Sequence, residues 1–170
     1  MKKHLSRIFV LLILILTLAH DHDSTVTAYQ DQTTSKPAEK QFVNPKDLNA
    51  PTSYTHVVTV NQGKMIFVSG QVALNKQGDI VGKGDLRAQA TQVFENLKTA
   101  LAAVGATFSD VVKVNTYVVN YKPTDVAIIR ELRSKYLPKD KPPASTLVGV
   151  QSLAREDFLI EVEVIAAINQ

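Results

Sequence analysis

The sequence predicts an α+β domain whose two helices cover one face of a β-sheet. Strand-like runs and amphipathic helical segments follow each other in the order β-β, helix, β, helix, β-β. The last strand, expected over residues 158–168, alternates so regularly that one face is apolar while the other carries Glu161 and Glu163. Two helices are too few to cover both faces, so the second face would expose a half-apolar surface. We therefore expect copies of the chain to cover that face in a closed ring.

The first two strands are expected over residues 56–60 and 64–68, on either side of Asn61-Gln62-Gly63, which is typical of a hairpin connection. The second of these runs is interrupted at Ser69-Gly70 and resumes at residues 72–74. A glycine inside a strand indicates either a β-bulge or a place where another group approaches the backbone closely. Both interpretations stay open at this point.

Both helices are predicted from apolar residues that recur every three or four positions. The first follows Asp85, a suitable N-cap, and ends at Gly105. The second has a start typical of a capped N-terminus at residues 124–125, carries Arg133 on its inner stripe, and ends before Pro138. The helices thus predict a single covering layer on the sheet.

The domain is expected over residues 42–170, after two N-terminal segments of different character. Residues 1–19 combine a cationic start with an apolar run that is shorter than a typical membrane-spanning helix, which is the layout of a secretory signal peptide. Residues 20–41 are polar and predict a flexible leader. We therefore expect a periplasmic or secreted protein that has no membrane anchor once the signal peptide is removed.

Composition argues against several classes of function. Three of the 19 basic residues lie in residues 1–19, so the remainder carries 16 basic and 16 acidic side chains and predicts no nucleic-acid surface. The chain has no cysteine, which excludes thiol catalysis and thiolate metal sites. We expect no cofactor and no metal. A solvated tail is the favoured interpretation of residues 20–23 (HDHD), although cleavage after Ala19 would place His22 where an N-terminal Cu(II) or Ni(II) site could form.

The chain resembles the Rid family (RidA and YjgF) in five segments that follow each other in order: SYTHVVTV, MIFVSGQVAL, QATQVFENLKTALAAVGA, DVVKVNTYVV and PPASTLV…EVEVIAA. The resemblance extends from about Tyr54 to Ala167. It implies a chorismate-mutase-like fold, a homotrimer whose sheets form a central barrel, and small-molecule clefts at the subunit interfaces. For active members it implies hydrolysis of enamines and imines, such as 2-aminoacrylate and 2-iminobutanoate, to 2-oxoacids and ammonia.

The same resemblance implies candidate site residues. Glu161 looks like the acid that positions or activates the hydrolytic water, so it is the expected catalytic residue. Tyr54 resembles the family's pocket tyrosine. Ser69 and Gly70 resemble one wall of the pocket.

The chain departs from the family at the motif that binds the substrate carboxylate. Active deaminases carry PPARS, whereas this chain has PPAST, with Ser145 in place of the arginine and Thr146 next to it. Ser145 and Thr146 are therefore expected to bind substrate without that cation. Because a charged hydrogen bond contributes roughly 1.5–3 kcal/mol, its loss predicts binding of a 2-imino acid weakened by roughly ten- to a hundredfold. Lys141 and Arg155 are candidate replacement cations from adjacent loops.

Alternatives remain for these residues and for the function. Glu161 is also consistent with a structural ion pair to Lys113, and Glu163 is favoured as structural. Ser145 is not a serine-hydrolase nucleophile, because His56 is the sole histidine of the predicted domain and no elbow motif surrounds the serine. Besides a deaminase, the sequence fits a trimeric binding protein that kept the cleft without the chemistry. A ribonuclease fits poorly with the balanced charge and the lack of a histidine pair.

Overall fold

The computed structural model describes residues 37–169. The expected signal peptide, most of the expected leader and the HDHD run lie outside the described residues. Strand β1 spans Lys40–Val43, so regular structure begins two residues before the domain boundary expected at Phe42.

The described chain contains six strands, two α-helices and a short 3₁₀ helix. They are β1 (Lys40–Val43), β2 (Val57–Val60), β3 (Lys64–Gln71), α1 (Leu86–Ala102), a 3₁₀ helix (Phe108–Asp110), β4 (Val111–Val119), α2 (Asp125–Tyr136), β5 (Ala144–Val150) and β6 (Ile160–Ile168). The α+β class and the predicted order of helices and strands are confirmed, with β1 as an additional strand. Neither α1 nor α2 is long and apolar enough to cross a bilayer, and no other helix in the described part of the chain is.

Four strands form the main sheet in the order β3-β6-β4-β5, with β4 and β5 parallel and the other pairs antiparallel. Strands β1 and β2 form a separate antiparallel pair. The predicted hairpin between β2 and β3 is therefore wrong. β2 pairs with β1 and β3 pairs with β6, so the two strands on either side of Gly63 belong to different sheets. β1, which the sequence pattern did not identify, supplies the ladder partners of β2.

The helix-covered face of the main sheet holds the core. Ile160, Val162 and Val164 of β6 are essentially fully buried there, as are Phe94 and Leu97 of α1. Each side chain of this size contributes roughly 1.5–3 kcal/mol when it is removed from water. The alternation predicted for β6 is confirmed, since Glu161 and Glu163 lie on the opposite face and are only partly buried.

Helix α1 has the predicted caps, whereas the start of α2 differs. The Asp85 carboxylate accepts hydrogen bonds from the N–H groups of residues 87–88, and Gly105 (φ 74°) lies in the loop that ends α1. At α2, Thr124 makes no side-chain cap hydrogen bond, because its own backbone is already helical at φ −66° and ψ −26°. The capped start predicted for α2 is therefore wrong in this detail. The Asp125 carboxylate instead accepts a hydrogen bond from the Lys122 N–H at 2.7 Å.

Candidate functional site

The second face of the main sheet is not covered by any element of the described chain. Its apolar residues are strongly exposed, with Phe67 at 75% and Val148 at 41% of their maximal accessible surface. We call it the open face and define it by the outward residues of β3, β4, β5 and β6. These include Met65, Phe67, Lys113, Asn115, Tyr117, Thr146, Val148, Glu161 and Glu163. A cavity of about 330 Å³ lies on this face beside Phe67, Ser69 and Glu163.

The two carboxylates of the open face differ in their hydrogen bonds. Glu163 Oε1 accepts a hydrogen bond from Asn115 Nδ2 at 2.7 Å and one from the Tyr117 hydroxyl at 3.1 Å. The hydrogen bond to Glu163, with smaller contributions from burial and from the charges of Glu163 and Glu161, raises the pKa of the Tyr117 phenol. Glu163 is therefore held in a fixed network, as a structural carboxylate would be.

Glu161, two residues earlier on the same strand, has no hydrogen bond or ion pair within residues 37–169. The ion pair that the sequence allowed with Lys113 does not form, because Lys113 Nζ donates to the Thr146 hydroxyl at 2.6 Å. Glu161 lies opposite Tyr117 in the β4–β6 ladder and is partly exposed. An ionised carboxylate with no protein donor has its lone pairs available to a water molecule or a ligand.

Gly70 brings the β3 backbone against Glu161. The pairing register of β3 and β6 shifts between Val68 and Gln71, which confirms the predicted bulge. A Cβ atom at Gly70 would overlap the Glu161 carboxylate, so the close backbone approach is also confirmed. Ser69, the residue before Gly70, is exposed, and its carbonyl accepts a hydrogen bond from the Gln71 side chain at 3.1 Å. Glu161, Ser69 and Gly70 are therefore brought together by one β-bulge.

Tyr54 lies elsewhere in the same protomer. Its ring packs edge-on against His56 at 5.1 Å, and it lines a second cavity of about 510 Å³ beside the C-terminal half of α2. The adjacent Thr55 forms a bridge with Ala144, and its hydroxyl donates to the Pro142 carbonyl at 2.6 Å. These bonds fix the Tyr54 loop beside the start of β5.

Ser145 and Thr146 lie on opposite faces of β5. Thr146 contacts Lys113 on the open face, whereas the Ser145 hydroxyl accepts a hydrogen bond from Arg133 Nη1 of α2 at 2.8 Å. Neither predicted replacement cation lies against Ser145. The Arg155 guanidinium stacks over the Phe158 ring at 5.5 Å, and Lys141 lines a different cavity. The cation at Ser145 is Arg133, which the sequence placed on the inner stripe of α2 without assigning it a role.

The start of β6 is held in place from α1. The Gln89 side chain is fully buried, donates to the Asp157 carbonyl at 2.7 Å and accepts from the Leu159 N–H at 2.8 Å. Because Leu159 immediately precedes β6, these two bonds fix the direction in which Glu161 emerges. Within the described range, no group of three metal-ligating side chains converges.

The protein is thus a small α+β domain with two helices on one face of its sheet. The other face carries a polar site that includes Glu161. The family described as Endoribonuclease L-PSP matches residues 45–168, and the chain belongs to this family, the Rid family that its motifs resemble.

Several relatives match most of their own length. A RutC family protein of Pyrococcus abyssi is 38% identical over 113 residues, which cover 66% of this chain and 84% of the relative. A 2-iminobutanoate/2-iminopropanoate deaminase of Dermatophagoides farinae is 34% identical over 116 residues, covering 68% of this chain and 86% of the relative. The crystal structure of YyfB from Yersinia pestis, a conserved Rid family protein, superposes with a TM-score of 0.68 at 37% identity, over 76% of this chain and 98% of that one. The Rid resemblance is thereby confirmed.

Proposed function

We propose that the protein hydrolyses small reactive enamines and imines, converting 2-imino acids to 2-oxoacids and ammonia. The observation that carries the proposal is the Glu161 carboxylate, which has no protein donor among the described residues and lies against Gly70. The neighbouring residues Ser69 and Glu163 line a cavity on the same face. The relative that is named 2-iminobutanoate/2-iminopropanoate deaminase supports the same reaction.

Hydrolysis of an imine requires the addition of one water molecule and proton transfers. Water adds to the imine carbon, a C–O bond forms, and the nitrogen takes up a proton to give a carbinolamine. Collapse of that intermediate forms the C=O bond, breaks the C–N bond and releases ammonia. Glu161 is suited to accept the proton of the attacking water and to return it to the leaving nitrogen, as a general base and then a general acid. The bulge at Ser69-Gly70 brings backbone groups close to the same point.

The proposal includes a homotrimer in which each cleft takes residues from two protomers. Two observations support it. The open face exposes Phe67 and Val148, an apolar surface that water would disfavour. Within one protomer, Glu161 and Ser145 lie on opposite faces of the sheet, and Tyr54 lies beside α2. If the open face of one subunit packs against the Tyr54 loop of the next, Glu161 of the first subunit and Tyr54 of the second would line the same cleft. Export to the periplasm or medium remains part of this proposal.

The test is ammonia release from 2-iminobutanoate generated in situ, measured above the uncatalysed rate. Glu161→Gln keeps the shape of the side chain and removes its basicity, so the rate should fall by about a hundredfold or more. Glu156→Gln, in the exposed loop before β6, is the matched control and should keep the wild-type rate. Equal rates of ammonia release for wild type and Glu161→Gln would contradict the proposal.

A second candidate is a trimeric binding protein without hydrolytic activity, which Ser145 in place of the family arginine favours. The same assay separates the two. Wild type that binds 2-oxobutanoate by calorimetry, yet releases no more ammonia than Glu161→Gln, would establish the binding protein.

The family's description as an endoribonuclease does not lead us to propose RNA cleavage. His56 is the one histidine within residues 37–169, and its Nε2 is hydrogen-bonded to the Asn49 carbonyl at 2.8 Å. RNA cleavage that survives stringent purification and disappears in Glu161→Gln would reverse this conclusion.

A further inference from the structure

Arg133 is the one charged residue among the buried residues of the described chain. It projects from α2 toward β5 and keeps only 9% of its accessible surface. Its Nη1 donates to the Ser145 hydroxyl at 2.8 Å, whereas the buried Nη2 has no hydrogen-bond partner. No carboxylate within residues 37–169 forms an ion pair with it. Burial, with a smaller contribution from the charge of Arg130, lowers the pKa of the Arg133 guanidinium.

A buried and half-satisfied guanidinium is costly, so it indicates a missing anion. Buried charges in folded proteins are normally paired, and an uncompensated one strongly destabilises its site. Arg133 has a planar fork of donors that suits a carboxylate, and one arm of that fork is unused. The stability of α2 alone does not require a charge there, since its inner stripe is otherwise made by apolar residues such as Ile129 and Leu132.

The surroundings of Arg133 favour a small anion. It lines the 510 Å³ cavity together with Tyr54, Ser134 and two further cations, Arg130 and Lys139. Asp140 is the single carboxylate in that lining and forms no ion pair with Arg133. The cavity is large enough for a four-carbon acid and carries an excess of positive charge.

The Ser145 substitution and the position of Arg133 are connected by geometry. Only a short side chain at position 145 leaves room for a guanidinium 2.8 Å from its γ-oxygen. An arginine at 145 would place two cations in the same space on the helix side of β5. The small hydroxyl instead accepts a hydrogen bond from Nη1 and leaves Nη2 without a partner.

We propose that Arg133 is the carboxylate-binding residue of this protein, positioned by Ser145 and taking the place of the family arginine in a cavity between α2 and the Tyr54 loop. The ligand class is a small 2-imino or 2-oxo acid, and this inference rests on the proposed function for its substrate. The cation has moved from the strand to the neighbouring helix, and Ser145 is a positioning residue.

Calorimetric titration of the full chain with 2-oxobutanoate tests the binding role directly. Arg133→Gln should raise the Kd by tenfold or more, while Arg133→Lys should recover part of the affinity. Lys135→Gln removes a cation from the exposed side of the same helix, where it pairs with Glu131, and should bind like wild type. Wild-type affinity in a folded Arg133→Gln protein would overturn the inference.

Kinetics distinguish a ligand contact from a merely structural role. With 2-iminobutanoate, Arg133→Gln should raise KM by tenfold or more, whereas with a neutral imine that lacks the carboxylate its kcat/KM should stay within twofold of wild type. A purely structural Arg133 predicts equal losses with both substrates, and that result would overturn the inference. In the double variant Arg133→Ser, Ser145→Arg, the guanidinium returns to the strand, and recovery of 2-oxobutanoate binding would support the proposal.

Two further outcomes separate the inference from the proposed function. If wild type binds 2-oxobutanoate through Arg133 yet releases no ammonia, the carboxylate site stands and the deaminase proposal fails. If Glu161→Gln abolishes activity while Arg133→Gln keeps the wild-type KM, the function stands and this inference fails. Should Arg133→Gln not fold, side-chain NMR of the arginines in wild type gives the answer. A guanidinium signal from Arg133 that does not shift during 2-oxobutanoate titration would contradict the proposal.

Discussion

The two faces of the main sheet are made by alternate residues of the same strands, yet they have different compositions. On the helix-covered face, β6 contributes Ile160, Val162 and Val164 to a dry core. On the open face, the residues between them include Glu161 and Glu163, which lie beside Tyr117 and Asn115. The alternation of side chains along the nine residues of β6 therefore places apolar core residues on one face and the two carboxylates on the other. Arg133 breaks this division, because it is a cation on the apolar side.

The largest expected effect concerns stability, and it should depend on the face. Leu97→Ala on the covered face should lower the free energy of unfolding by about 2–5 kcal/mol, since it leaves a cavity in a closed core. Phe67→Ala on the open face should change it by less than about 0.5 kcal/mol in the isolated protomer. Urea unfolding at low protein concentration measures both. An equal loss for Phe67→Ala would mean that the open face is packed within the protomer itself.

A smaller effect is expected from moving the open-face carboxylate without removing it. Gly70→Ala would place a methyl group where the Glu161 carboxylate lies, so the side chain must shift. We expect the rate of imine hydrolysis to fall by about tenfold or more, because a misplaced base is a poor catalyst. When Glu161→Gln is already present, adding Gly70→Ala should lower the rate of hydrolysis little further, because both substitutions act through the side chain at position 161. Independent, additive losses would contradict this coupling.

The smallest effects concern two tyrosines whose pKa values are raised for different reasons. Tyr136 stacks on Phe94 and donates to Glu95 at 2.8 Å, and burial first, then that bond, raises its pKa to about 12. On the open face, the pKa of Tyr117 is raised chiefly by its hydrogen bond to Glu163. Glu163→Gln should therefore lower the pKa of Tyr117 most of the way back to its ordinary value. Glu95→Gln should lower the pKa of Tyr136 only part of the way, because burial remains.

Absorbance titration of tyrosinate measures both pKa values, and stability follows with a definite sign. Because the folded pKa of Tyr136 lies above the unfolded value of about 10, its contribution is complete below about pH 10 and is lost as the pH rises toward 12. A stability curve that is flat from pH 10 to 12 would contradict the burial of Tyr136.

Local patterns predicted the parts of this fold that depend on neighbours in sequence. The alternation of β6, the Asp85 cap and the bulge at Ser69-Gly70 are all fixed by a few adjacent residues. The pairing of β2 was predicted wrongly because it depends on β1, a four-residue strand that crosses the predicted boundary between the polar leader and the domain. Sequence patterns do not specify which distant strand completes a ladder.

The candidate site was only partly predictable for the same reason. The resemblance placed Glu161, Ser69 and Gly70 in one site, and the structure places Gly70, the neighbour of Ser69, against Glu161. It could not show that Ser145 faces α2, because that depends on the register between β4 and β5. Arg133 was detectable only as a charged residue on an apolar helical stripe. A charged side chain on the apolar stripe of a helix indicates that the charge has a partner or ligand in the folded protein.

The most direct test of a cleft shared between two subunits is complementation between inactive variants. Glu161→Gln and Arg133→Gln chains are co-expressed with different tags, and doubly tagged oligomers are assayed with 2-iminobutanoate under conditions where each variant alone is inactive. If each cleft takes Glu161 from one chain and Arg133 from the next, every doubly tagged trimer has one intact cleft of three, so about a third of the wild-type activity should return. Purified mixed oligomers that are no more active than the single variants would contradict the account.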